Sequence, residues 1–182
     1  MARGVNRAYP RDRFESNLVH VKSGCIFISH KYEDLKAAQR VAEYIMQYGF
    51  DVYLDDHDLK LKKAVDMNDS QGIVACIEDG LNTSTHILVL VTEHTRMSWW
   101  VPYETGYAKR GKKNIASLLL RKANEFPDYL KIETTLKGFR ELTGYLDNLP
   151  ILTPIMESTL SKDERIFVQN QNRRALLEYI RE

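Results

Sequence analysis

Short unbroken apolar runs alternate along the chain with stretches in which apolar residues recur every three or four positions. The first run, Gly24-Cys25-Ile26-Phe27-Ile28-Ser29, reads as a strand buried on both faces. It ends in a polar cluster, Ser29-His30-Lys31-Tyr32-Glu33-Asp34. Leu35, Ala38, Val41, Ala42, Ile45 and Tyr48 then predict a helix, closed by Gly49, a residue free to take left-handed geometry. Phe50–Leu54 is a second strand, ending at Asp55-Asp56. Residues 56–69 read as a long charged connection, and Ile73, Val74, Ile77 and Leu81 as a second helix. His86–Val91 is the clearest strand. Thr92–Ser98 leads from it into a helix that stops near Gly111, with Pro102 in the first turn, where a missing N–H costs least.

Ile115–Leu120 reads as a fourth strand, Phe126-Pro127-Asp128 as loop and Leu130–Thr134 as a short fifth strand. Phe139, Leu142 and Leu146 mark a helix within Leu136–Leu149, before Pro150 and Pro154 break the chain. Ser161 with Glu164 forms a capping-box pattern, and Ile166, Phe167, Leu176, Leu177 and Ile180 predict a final helix that docks on the body or on a second subunit. Strands alternating with helices predict an α/β fold, a five-stranded parallel sheet with helices on both faces. In the flavodoxin-like strand order a ligand sits between strands one and three, beyond their carboxyl ends. The expected organisation is an extension at 1–22, a domain at 23–150 and a C-terminal helical extension at 151–182, with the polar first segment a solvated tail.

Composition narrows the classes. With 43% hydrophobic and 28% charged residues and a net charge of +1, the chain is an ordinary globular one with no basic surplus to suggest nucleic acid. No apolar run approaches the roughly 20 residues of a membrane span, and arginines near the start precede no apolar segment, so a cytoplasmic location is expected. Cys25 and Cys76 have no metal or redox spacing and read as buried reduced thiols.

Ser98-Trp99-Trp100-Val101-Pro102-Tyr103-Glu104 carries the candidate chemistry. Trp100 and Glu104 are four apart, so a helix presents an aromatic plate and a carboxylate on one face, with Tyr103 and Tyr107 beside them. An apolar wall next to a carboxylate tunes its reactivity. The plainer alternative is a core tryptophan and a solvated glutamate; Trp99 in particular reads as core. Asp55, Asp56 and Asp58 read as a solvated loop, and His57, His86 and His94 lack mutual ligand spacing, so no metal is expected.

Taken together these stretches resemble a TIR (Toll/interleukin-1 receptor/resistance) domain over about residues 24–150. The matching pieces are Phe27-Ile28-Ser29-His30, Gly49-Phe50, Asp55, Gly80-Leu81, Trp100-Val101-Pro102-Tyr103-Glu104 and Gly111-Lys112-Lys113-Asn114-Ile115. Some members of the family are adaptors that only assemble; others cleave NAD at the nicotinamide–ribose bond. The resemblance implies that Glu104 is the catalytic residue. It implies that Trp100 and Tyr103 line the pocket, that Ser29, His30, Lys31 and Tyr32 contact the nucleotide, and that Asp55 lies near the site. Ser29 and Asp34 also suit helix capping, and His30 loop packing. With no P-loop or glycine-rich dinucleotide fingerprint, NAD would be a substrate and no cofactor is expected.

Two departures stand out: Lys31 and Tyr32 occupy a loop where some animal members have arginines, and the 56–69 connection is longer than in compact members, which bears on self-association. A stand-alone chain resembles bacterial TIR proteins of anti-phage systems such as Thoeris, in which a nucleotide signal reaches a separate effector. A non-catalytic scaffold and a nucleoside deoxyribosyltransferase-like enzyme remain the alternatives. An inert Glu104→Ala phenotype would mark the former, and release of free base from nucleosides with NAD untouched the latter.

Overall fold

The computed structural model describes residues 4–9, 24–150 and 170–182. Five parallel strands are formed by Cys25–Ser29 (β1), Asp51–Tyr53 (β2), His86–Val91 (β3), Asn114–Leu119 (β4) and Thr134–Leu136 (β5), in the order β2-β1-β3-β4-β5. The expected flavodoxin-like order is therefore present, and strand order reverses between β1 and β3. Helices Leu35–Gln47 (α1), Leu59–Asp66 (α2), Ser70–Asn82 (α3), Trp100–Arg110 (α4), Asp128–Lys131 (α5) and Phe139–Asn148 (α6) complete the domain.

Side chains that alternate across the strands feed two cores. Ile26, Ile28, Leu88 and Leu118 pack with α1 and α6 on one face; Cys25, Phe27, Ile87 and Val89 pack with α3, α4 and α5 on the other. Leu176, the last of helical residues 170–176, and Ile180 just beyond them are buried in the first core, so this part of the final apolar stripe docks on the body. Ser161, Glu164, Ile166, Phe167 and Pro154 lie outside the described residues.

Five expectations change. The 56–69 connection is not a loop: a single 3₁₀ turn over Asp55–His57 leads into α2, which Asp58 caps by accepting from the Lys60 and Leu61 amides. Asn68, at φ 53°, stops α2, and Asp69 caps α3 through the Gly72 amide. Two capped helices thus replace the loop. Residues 128–131 form α5 rather than the start of a strand, because the Pro127 carbonyl accepts from Leu130 and Lys131 and turns the chain; the strand begins at Thr134. Trp99 is not core but 91% exposed, since it stands just before α4 while Val101 takes the buried position. Cys25 is buried as expected, but Cys76 is only half-buried.

The fifth change concerns residues 4–9, which are no solvated tail. They run along the outer side of β2, with Asn6 bridged to Val52 in parallel, Val52 donating to the Val5 carbonyl at 2.9 Å and Arg7 donating to the Val52 carbonyl at 2.7 Å. Gly4 is required there: a Cβ would lie 1.7 Å from the Phe50 carbonyl oxygen.

Candidate active site

Ser29 ends β1 and, by strand alternation, points to the same face as Cys25 and Phe27. Glu104 lies on the sheet-facing stripe of α4, with Val101, Thr105 and Ala108, and is only 6% exposed. A carboxylate in that apolar stripe would be costly to bury alone. It is met by Ser29, whose hydroxyl donates to Glu104 Oε2 at 2.5 Å. The pair joins strand one to the helix after strand three, at the switch point of the sheet.

Burial is the main force on Glu104, pushing its pKa up from 4.5 to about 8; the Ser29 bond opposes this and the nearby Asp55 charge adds to it. Asp55 does not close β2 but opens the 3₁₀ turn after it, two positions beyond the strand end at Tyr53. Its own carboxyl is raised by burial, with the His30 imidazole pulling the other way. His30 Nε2 lies 3.9 Å from Asp55 Oδ1. His30 Nδ1 lies 3.2 Å from the Ile28 carbonyl, which can only accept, so that nitrogen carries the proton. Ser29, His30, Asp55 and Glu104, from three separate elements, thus converge.

The other expected residues surround this group less closely. Trp100 stands one turn before Glu104 on α4, is 40% exposed, and meets Tyr103 edge-on at 6.1 Å. Tyr103 is next to Glu104 in sequence, hence about 100° around the helix. Its hydroxyl donates to Glu78 on α3 at 2.5 Å, so it braces α4 against α3. Tyr107 exchanges a hydrogen bond with Asn82 in the same seam. Lys31 Nζ is 4.0 Å from Glu33, and Tyr32 is 82% exposed, so both stand at the rim.

Some contacts had no signal in the sequence. Asp34 does not cap α1 with its side chain. One of its oxygens accepts from Thr92 Oγ1 at 2.6 Å and the other from His94 Nδ1 at 2.9 Å, tying the segment after β1 to that after β3. Tyr129 of α5 has its phenol raised by burial and by the charge of Glu104. Periodicity reads residues 126–134 as loop and strand, and so has no reason to bring a tyrosine there. Cavities of about 460 Å³, at the carboxyl ends of β4 and β5, and about 390 Å³, at the amino ends of β3 and β4, include neither Ser29 nor Glu104. Burial, chemistry and position single out that pair.

The family model described as TIR domain matches residues 26–143, a span that runs from Ile26 in β1 to Thr143, halfway along α6, and holds every residue of this constellation. The chain belongs to the TIR family. This TIR domain is 26% identical over 105 residues to a protein of Bacillus cereus (strain MSX-D12) described as "Probable 3' cyclic ADP-D-ribose synthase ThsB'". That alignment covers 57% of this chain and 53% of the relative, so the chain matches about half the length of that curated relative. Among solved structures, a diflavin flavoprotein A3 from Nostoc sp. is 13% identical, with a TM-score of 0.37 over 86% of this chain and 97% of that one, a likeness too low to argue from. Among the described residues, no helix is long and apolar enough to cross a membrane.

Proposed function

We propose that this TIR domain cleaves NAD at the nicotinamide–ribose bond and transfers the ADP-ribosyl group to water or to a hydroxyl of the same nucleotide. The observation that carries this reading is the buried Glu104, held by Ser29 at the β1/β3 switch point on a helix with the family's Trp-x-x-x-Glu spacing.

Nicotinamide leaves a positively charged ring as a neutral molecule and takes the bonding pair with it, so no general acid is needed. The barrier lies in an oxocarbenium-like ribose, as in other glycosidic cleavages. A carboxylate in a water-poor site stabilises that charge far better than one in water. Glu104 must be ionised to do so, yet burial favours its protonated form. A bound pyridinium–ribose supplies the missing positive charge, pulls the pKa back down and releases the proton. Substrate binding therefore charges the catalytic group. The acceptor oxygen then bonds to the ribose carbon and its proton passes to solvent.

Trp100 offers an aromatic plate beside the reacting ring, His30 and Asp55 polar contacts to the ribose, and Lys31 a point charge for the pyrophosphate. The name of the Bacillus relative favours a cyclic product. On this reading the product is a signal nucleotide for a separate effector in anti-phage defence. The protein acts in the cytoplasm and self-associates, with its exposed Trp99 and Met97 near the site as one surface available for it.

The test is chromatography of NAD incubated with concentrated protein, wild type beside Glu104→Gln. Nicotinamide released by the wild type alone supports the reading, and the second product peak separates hydrolysis from cyclisation. Equal release by the two proteins overturns the role of Glu104. Release of free base from nucleosides, with NAD intact, would favour the deoxyribosyltransferase-like alternative.

A further inference from the structure

Beside its backbone bonds to β2, the segment at residues 4–9 is tied down by side chains, and two of these anchors differ in what they hold. The first is Asp51 on the edge strand β2, a buried carboxylate. It accepts from the Val5 amide at 3.0 Å and from Arg7 through Nε and Nη2, each at 2.8 Å. This anchors the segment on the sheet. The second is Asn6, itself only 7% exposed. Its amide oxygen accepts from the Leu54 N–H at 3.0 Å and from the Ala8 N–H at 3.1 Å. Its amide nitrogen donates to the Leu54 carbonyl at 2.9 Å and stands 3.5 Å from Asp56 Oδ1.

A side-chain amide that both donates to and accepts from one residue's backbone acts as a neighbouring strand would, because it carries a donor and an acceptor in one plane as a peptide group does. Leu54 is the last residue before the turn that carries Asp55. Gln39 of α1 holds the same turn from the other side, donating to Asp56 Oδ2 at 2.9 Å. Held in this way, Asp55 stays beside His30 and close enough to Glu104 for its charge to be felt there.

We propose that Asn6 is a positioning residue of the active site: through Leu54 it holds the Asp55 turn in place, so that the affinity of the site for its nucleotide depends on a segment 48 residues earlier in the chain. This inference rests on the NAD-cleaving reading. It separates Asn6 from Arg7, which serves the sheet edge, although the two are neighbours in sequence.

The experiment compares the full chain with its Asn6→Ala variant by amide hydrogen exchange and by steady-state NAD kinetics. Loss of the Asn6 acceptor should speed exchange at the Leu54 amide by about tenfold or more, with β1 and β3 amides unchanged. The KM for NAD should rise about tenfold while kcat stays within about twofold, because Glu104 and Ser29 are not touched. Where Asn6→Ala is too unstable to assay, Asn6→Gln keeps the amide but moves it by one methylene, and the same split in KM is expected.

Faster Leu54 exchange with KM unmoved would make Asn6 a structural residue only and overturn the inference. Unchanged exchange would also overturn it, since the turn would then be held by something else. A wild type that leaves NAD intact overturns the reading of activity and this inference with it. An active wild type with an unmoved KM in the variant overturns the inference alone.

Discussion

Replacing Glu104 by glutamine should make the domain more stable, by an amount that depends on pH. The folded carboxyl titrates near 8, against 4.5 for the free group, chiefly because it is buried. Between those values the folded state keeps a proton that the unfolded state has released. Stability then falls as pH rises, by about 1.4 kcal/mol per unit, since it falls wherever the native state binds more protons. Summed to the folded pKa this amounts to on the order of 3–5 kcal/mol, a large part of the total stability of a domain this size. The sign is opposite to that of a salt-bridged carboxylate: the cost is absent below about pH 4.5 and complete above about pH 8. Glutamine has nearly the same shape, accepts from Ser29 Oγ as the carboxylate does, and has no charge to bury.

The assay is urea unfolding of the wild type and Glu104→Gln at pH 5, 7 and 8.5. Titrating groups that do not feel Glu104 cancel in the difference between the two proteins, and Asp55, whose charge acts on Glu104, adds only a secondary contribution. The gap should be under about 1 kcal/mol at pH 5, widen by roughly 1.4 kcal/mol per unit, and level off near the folded pKa. Parallel curves from pH 5 to 8.5 would mean that Glu104 ionises as it does in water, and would refute both the burial argument and the substrate-linked charging built on it.

The same titration governs catalysis. Nicotinamide release, as kcat/KM, should rise with pH to a plateau with a midpoint near 8, and Ser29→Ala, which removes a bond to the ionised form, should move that midpoint up by roughly one unit; an unmoved midpoint would deny Ser29 that role. Gly80→Ala should destabilise by about 1–3 kcal/mol in urea despite alanine's better helix propensity, because the new Cβ would lie 2.5 Å from Tyr53 Cε1. Tyr53 is stacked on Phe27 and bonded to Asp58 and cannot swing aside, so a stabilising result would show that the ring is freer than this. Asp58→Ala removes the α2 cap and orphans the buried Tyr53 hydroxyl, for a loss of roughly 2–4 kcal/mol by the same measurement. Tyr53→Phe, which leaves the cap in place, should cost less.

The strand–helix alternation, the sheet class and the Trp100–Glu104 spacing were legible because each depends on local periodicity: a buried parallel strand must be apolar throughout, and a helix repeats its face every three to four residues. The structure departs from the sequence pattern where periodicity is silent. The 56–69 stretch buries little beyond Ala64, so its lysines resemble a solvated loop, and its helices are revealed by the caps at Asp58 and Asp69. The short α5 has one buried anchor, Leu130, too few positions to show a period. Trp99 reads as core from the sequence, and the start of α4 puts Val101 there instead.

The site divides in the same way. The residue types and their places at strand ends are properties of the sequence, and so is the expectation that a ligand lies between strands one and three. The Ser29–Glu104 bond spans 75 positions, and Asn6 grips Leu54 across 48. Asp34 likewise goes to His94 across 60 positions rather than capping its own helix. Such pairings depend on which strands become neighbours and which side of each helix meets the sheet. The free energy that selects them is burial summed over two cores, a quantity of the whole chain and not of any window along it. The sequence by itself therefore determined the elements and the inventory of reactive groups. Only the tertiary structure decided that Glu104 is buried, that Ser29 meets it, and that a segment resembling a tail belongs to the sheet.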